Sequence, residues 1–193
     1  MDCMKLKVGV VGSATGVTAD ALIKAYEVGK EVASMDCILL TGSSQGIPYE
    51  AVRGAKALNG FTVGFSPAHD LREHIESYRF PVDAFDLLVY TGFGLKGRNV
   101  LMVRSCDAVI VVSGRIGTLN EFTIAYDEGK TIGVLRGTGG TSDMIEEIIE
   151  KGAKKGGEVF YRDEPAGLIR VVVSHVMRQS TLAQRSVRKP CLK

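Results

Sequence analysis

At 193 residues, 45% of them hydrophobic, the chain has material for one globular domain with a sizeable core. A formal net charge of +2 is too small to point to nucleic acid, and no specific nucleic-acid partner is expected. The opening Met1-Asp2-Cys3-Met4-Lys5 has no apolar leader and no run approaches the length of a bilayer span, so a soluble cytoplasmic protein without a membrane partner is expected.

A first strand is expected over Lys5–Val11, ending in Gly12-Ser13-Ala14-Thr15-Gly16. From Thr18 to Ser34 the apolar residues Ala21, Leu22, Ala25, Val28, Val32 and Ala33 form a helical stripe. Cys37–Leu40 reads as a second buried strand, ending in Thr41-Gly42-Ser43-Ser44-Gln45-Gly46. Pro48 to Leu58 makes the next helix, with proline near its first turn, where a missing N–H matters little. Phe61–Phe65 is a third strand, and the βαβαβ order so far signals a parallel α/β sheet.

Ser66 to Pro81 is less regular and is expected to hold a short helix, with His69, His74 and Tyr78 read as solvated positions rather than acid–base groups. Asp86–Tyr90 is a fourth strand, followed by Thr91–Gly97 as a turn. A helix over Arg98–Ser105, a strand over Val109–Val112 and a helix from Thr118 to about Asp127 come next; the charge-free, β-branched strand has the composition of one buried on both faces. Thr131–Leu135 is a sixth strand, Thr141–Lys151 a helix with Ser142 and Asp143 near its start, Val159–Tyr161 a short edge strand and Ala166–Met177 a closing helix. The expected architecture is an α/β, Rossmann-like, open and mostly parallel sheet with helices on both faces, one domain over 1–179, then a flexible basic tail over 180–193.

The four cysteines, Cys3, Cys37, Cys106 and Cys191, are far apart, no pair has metal-ligand spacing, and the three histidines form no HxxxH pair, so no metal site is expected. Chemistry is expected instead at four glycine-rich turns, Gly12–Gly16, Gly42–Gly46, Gly92–Gly97 and Gly114–Gly117. Each follows a strand and precedes a helix, which puts all four on the carboxyl edge of a parallel sheet. Glycine there allows close backbone approach, and helix N-termini offer N–H groups to anions. A phosphate-bearing ligand follows. The usual dinucleotide fingerprint is absent: the first turn is Gly12-x-x-x-Gly16, and strand two ends in Leu40-Thr41 without an acidic residue. A P-loop is excluded as well, because Arg98-Asn99 stands after Gly97 where Lys-Ser/Thr is required.

The segment Arg98-Asn99, then Asp107-Ala108, then Ser113-Gly114-Arg115-Ile116-Gly117-Thr118-Leu119-Asn120-Glu121 resembles the signature of LOG-like proteins, an arginine on one helix followed by a P-G-G-x-G-T-x-x-E turn after the next strand. Thr41–Ile47 with Glu50-Ala51 is similar to the same family's earlier glycine motif, and the order of elements matches from about Lys5 to Leu135. Arg98-Asn99 and Thr118-Leu119-Asn120-Glu121 look closest to the branch that holds the molybdenum-cofactor carrier proteins and nucleotide-binding homologues. The resemblance implies a homodimer or higher homo-oligomer and a nucleotide-sized pocket, with a nucleotide or molybdenum cofactor as the bound ligand. In the phosphoribohydrolase branch it implies catalysis by the residues that match Arg98 and Glu121. Gly12, Ser13, Gly42, Ser43, Gly46, Gly114, Arg115, Gly117 and Thr118 become the ligand- and phosphate-binding candidates, with Thr118 also expected to cap its helix.

The chain departs from the signature in places. Ser113 replaces proline, Arg115 replaces a glycine, Ser43 and Ser44 replace glycines, and Pro48 stands where methionine is common. A side chain at 115 either clashes with the phosphate position or binds it. The two functions that compete are a binding or carrier protein and a phosphoribohydrolase that cleaves the N-glycosidic bond of a nucleoside 5′-monophosphate.

Overall fold

The computed structural model describes residues 4–152 and 154–187. Cys3, Cys191 and the end of the expected basic tail lie outside them. Among the described residues, seven strands and seven helices alternate: β1 (Lys7–Gly12), α1 (Ala19–Ser34), β2 (Ile38–Thr41), α2 (Ile47–Ala57), β3 (Thr62–Ser66), α3 (Leu71–Glu76), β4 (Leu87–Tyr90), α4 (Gly94–Ser105), β5 (Ala108–Val112), α5 (Ile116–Asp127), β6 (Thr131–Leu135), α6 (Thr141–Gly152), β7 (Val159–Arg162) and α7 (Pro165–Val187).

Every strand pair is parallel, in the order β4-β3-β2-β1-β5-β6-β7. The chain winds outward from β1 to the edge at β4, returns to lay β5 beside β1, and winds outward again to β7. The strand order therefore reverses between β1 and β5, the place where an open α/β sheet forms a crevice beyond its carboxyl ends. This is the Rossmann-like open sheet that the alternation of elements predicts.

Alternating side chains of the central strands feed two cores. Val8 and Val10 of β1 with Ala108, Ile110 and Val112 of β5 pack with residues of α1, α2 and α7, among them Val28, Val52 and Leu168. Val11, Val109 and Val111 point the other way, onto Met102 of α4, Phe122 of α5 and Ile145 of α6. Burial on both faces explains the unbroken apolar run of β5. Cys37 and Cys106 are buried in these cores, with no disulfide partner among the described residues.

Three elements differ from the sequence reading. Helix α4 begins at Gly94, so most of the expected Gly92–Gly97 turn is helix, and Arg98 stands in its second turn rather than at its start. Glycine's poor helix propensity hides that beginning. Helix α5 is capped from Arg115, which places Thr118 inside the first turn and not at the cap. Helix α7 continues past Met177 to Val187, so residues 180–187 are helical. His74 is also misplaced by sequence. It is wholly buried, with Nδ1 2.8 Å from Ser66 Oγ and Nε2 3.1 Å from the Pro81 carbonyl. His69 has a side chain 69% exposed, as a solvated loop residue would.

Helices α1 and α2 cross in close contact because each offers a glycine to the other's backbone. A Cβ at Gly29 would lie 1.8 Å from the Ala51 carbonyl oxygen, and one at Gly54 would lie 1.9 Å from that of Tyr26. Alanine normally favours a helix over glycine by ~1 kcal/mol. Here a backbone clash opposes it, and overpacking of this kind costs ~1–3 kcal/mol. Gly54→Ala is expected to lower the urea midpoint; an unchanged or higher midpoint contradicts the close crossing.

Candidate functional site

A cavity of about 400 Å³ opens at the carboxyl edge of the sheet, at the β1/β5 reversal. Its walls come from the β1 turn (Gly12, Ser13, Ala14, Thr15), the β2 turn (Gly42, Ser44), the first half of α4 (Leu95, Lys96, Arg98, Asn99) and the β5 turn with the start of α5 (Arg115, Gly117, Thr118, Glu121). Pro48 of α2 and Phe80 of the loop after α3 complete it.

The deepest charged groups are Arg98 and Glu121. Arg98 Nη1 is 3.3 Å from Glu121 Oε1, and the two side chains are only 6% and 9% exposed. Their approach needs a bare backbone at the end of β2, since a Cβ on Gly42 would sit 1.8 Å from Arg98 Nη1. Among the described residues, Arg98 Nε is buried without a hydrogen-bond partner. Burial outweighs the pair's mutual attraction on both sides. It lowers the Arg98 pKa, and it pushes the Glu121 carboxyl up to about 7 against the opposing pull of Arg98 and Lys96. Beside the pair, Asn99 Nδ2 donates to Asn120 Oδ1 at 2.8 Å and ties α4 to α5.

Helices α4 and α5 both begin at this cavity, and neither has a side-chain N-cap or an acidic residue in its first turn. By contrast, Thr18 caps α1 and Asp70 caps α3. Uncapped first turns present partial positive charge and N–H groups to the cavity. Lys96 and Arg115 add full charges, so three cations face one carboxylate. The arrangement suits an anion.

Arg115 leaves the cavity open. As the residue before α5 it has an extended backbone, φ −131 and ψ −164, and its Nη1 donates to Thr15 Oγ1 at 2.9 Å across the mouth. Ser113 adopts φ 54, and its N–H donates to Thr138 Oγ1 at 2.8 Å. Proline can do neither, so this backbone excludes it at the departure from the LOG-like signature.

Of the candidates from sequence, Gly12, Ser13, Gly42, Arg98, Arg115, Gly117, Thr118 and Glu121 line the cavity. Ser43, Gly46 and Gly114 lie behind the lining. Ser43 Oγ donates to the Phe65 carbonyl at 3.2 Å. Gly46, at φ 71, precedes α2 where a Cβ would strike the Ser13 carbonyl oxygen at 2.5 Å. Gly114, at φ 121, accepts the Thr141 N–H at 2.9 Å and has no room for a Cβ beside Thr118. These three shape the turns. Sequence reasoning passed over Lys96 and Phe80, and it named Asn99 and Pro48 only as motif positions. Lys96 was hidden in a presumed turn, while Phe80 has no local signal and arrives through the path of its loop.

The SLOG cluster4 family matches residues 5–169, and the chain belongs to that family. An uncharacterized protein of Archaeoglobus fulgidus is 33% identical over 135 residues, 69% of this chain and 82% of the relative. The molybdenum cofactor binding protein of Rippkaea orientalis has a similar structure, with a TM-score of 0.77 at 28% identity over 91% of this chain and 99% of that one. The molybdenum cofactor carrier protein of Chlamydomonas reinhardtii is similar as well, with a TM-score of 0.72 at 29% identity and the same coverage. No helix among the described residues is long and apolar enough to cross a membrane.

The buried glutamate gives a pH signature. Its native pKa of about 7 lies above the ordinary value of 4.5, so between those values the native state holds a proton that the unfolded chain has released. The stability this proton brings is complete below the ordinary value and is lost as pH rises through the native one. Glu121→Gln is expected to abolish this loss, so that its unfolding free energy improves relative to the parent between about pH 5 and about pH 8. A difference independent of pH, measured by urea unfolding, contradicts the burial of an ionisable Glu121.

Proposed function

We propose that this member of the SLOG cluster4 family is a binding protein for a nucleotide or another phosphate-bearing small molecule, with molybdenum cofactor as the leading ligand. One observation carries the reading. Arg98, buried with an unpartnered Nε, lines an open cavity together with Lys96, Arg115 and two uncapped helix starts. Burying a guanidinium is unfavourable unless something compensates it; Glu121 does so in part, and an anion held beside Lys96 and Arg115 adds to that through space. The cavity's size is that of small-molecule sites, ~300–1,000 Å³.

Molybdenum cofactor enters through the likeness to proteins named as its carriers, which extends over 91% of this chain. Its phosphate suits the β1 turn and the first turn of α5, where Ser13, Gly117 and Thr118 face Arg115 and Lys96. Its pterin, with a flat pyrimidinone ring, suits the remaining walls, which mix Asn99 with apolar Pro48, Phe80 and Leu95. The residues present fit the group. They hold and orient cargo and need perform no reaction on it.

A second reading, nucleoside 5′-monophosphate hydrolysis, is favoured by Glu121, whose pKa of about 7 suits a general base at neutral pH. In that reaction Glu121 takes a proton from water, the water oxygen bonds to the sugar C1′, and the C1′–N bond breaks. The base leaves with the proton that Glu121 took from the water, which restores the carboxylate, and ribose 5-phosphate remains. Arg98 would hold the carboxylate in place from 3.3 Å.

Binding is tested by equilibrium dialysis against purified molybdenum cofactor and against nucleoside monophosphates. Arg115→Ala loses one exposed contact to Thr15 and is expected to keep its melting temperature within ~2 °C. The same variant is expected to bind about tenfold more weakly, as loss of one charged hydrogen bond to a phosphate predicts. Absence of affinity for any of these ligands refutes the binding reading. Chromatography of AMP incubations separates the second reading: the carrier account expects no free adenine above a Glu121→Ala control, and release well above it establishes the hydrolase instead.

A further inference from the structure

Part of the cavity lining is apolar, and its aromatic member is held more firmly than a connection requires. Pro48, Leu95 and Phe80 reach the cavity from three different elements: the first turns of α2 and α4, and the loop between α3 and β4. The Phe80 loop is fastened along its length. Tyr78 N–H donates to the Glu73 carbonyl and Phe80 N–H to the His74 carbonyl, both at 3.2 Å. The Gln45 side chain, from the β2 turn, donates to the Arg79 carbonyl.

Between the two aromatics, Arg79 takes φ 54, a left-handed conformation unfavourable for a non-glycine residue. Such conformations persist where the surroundings enforce them and cluster at ligand clamps. The Phe80 ring meets the His74 ring edge-on, at 5.7 Å between centroids and 82° between planes, and tilts against Tyr78 at 5.6 Å and 43°. His74 is fixed at both nitrogens. Ser66 Oγ accepts the Ala68 N–H at 3.1 Å and turns its own hydrogen toward Nδ1, which leaves Nε2–H for the Pro81 carbonyl. The His74 ring behind Phe80 is therefore fixed in place by hydrogen bonds at both nitrogens.

We infer that Phe80 is a stacking platform for a planar heteroaromatic ring, and that it selects phosphate esters of heterocycles over plain sugar phosphates. A preorganised aromatic loses little freedom when a flat ring covers it, and ring stacking tolerates several heterocycles because each has a π-face. The inference rests on the proposed binding of phosphate at the glycine turns, and it adds what the other end of the ligand must be.

Isothermal titration calorimetry of the full chain with AMP, GMP and a phosphorylated pterin, each compared with ribose 5-phosphate, tests it. The wild type is expected to bind at least one of the ring-bearing esters about tenfold more tightly than ribose 5-phosphate. Phe80→Ala and Phe80→Leu are expected to lose that preference while affinity for ribose 5-phosphate stays within about twofold, and Phe80→Tyr is expected to keep it. Ribose 5-phosphate bound as tightly as all the ring-bearing esters by the wild type overturns the platform and leaves the anion site standing. Equal loss for every ligand in the Phe80 variants also overturns it, since the loop then only supports the fold. If none of the four ligands binds, the anion site fails and the platform with it.

Discussion

The Arg98–Glu121 pair is the constraint around which the carboxyl edge is arranged. Two charges lie almost out of water, 3.3 Å apart, with one guanidinium nitrogen left unpartnered among the described residues. Removing such groups from water opposes folding, and the attraction between them seldom repays it in full. The upward shift of Glu121 and the downward shift of Arg98 express the same imbalance. A well-packed apolar pair would serve the fold at least as well. The pair makes physical sense as part of a site whose ligand completes its electrostatics.

The rest of the edge accommodates this pair. Glycine at 42 leaves space for the guanidinium against the end of β2, and the Asn99–Asn120 bond keeps α4 and α5 in register beside it. The β5 turn is shaped by Ser113, Gly114 and Thr138 rather than by proline, and the turn sends Arg115 over the cavity mouth instead of into it. Substituting Arg115 for glycine has thus added a cation at the rim without filling the space where a ligand belongs. In the same cavity, buried His74 and the tethered loop present Phe80, so its lining includes an aromatic ring as well as the polar groups.

Much of this was legible in the sequence because periodicity and glycine placement are local. The uninterrupted Val109–Val112 run announced a strand buried on both faces, and strand–glycine–helix repeats placed the chemistry on one edge. The Arg98 and Glu121 candidates came from a family signature, and the fold brings the two together across α4 and α5. Long-range effects were not legible. Gly94 and Gly97 looked like a turn because glycine disfavours helix, yet they belong to α4. His74 looked solvated because its loop is polar, but its partners Ser66 and Pro81 are contributed by the folded path of the chain. Ser43, Gly46 and Gly114, also candidates from sequence, lie behind the lining, where the Ser43 hydroxyl bonds to the Phe65 carbonyl and neither glycine has room for a Cβ.

The claim on which the account depends is that phosphate is held between the β1 turn and the first turn of α5. A crystal structure grown with a nucleoside monophosphate tests it most directly. The phosphate oxygens are expected within about 3 Å of the Gly117 N–H and the Arg115 guanidinium, with the latter released from Thr15. A ligand bound elsewhere on the molecule, with this cavity left open and the Arg115–Thr15 contact intact, would contradict it.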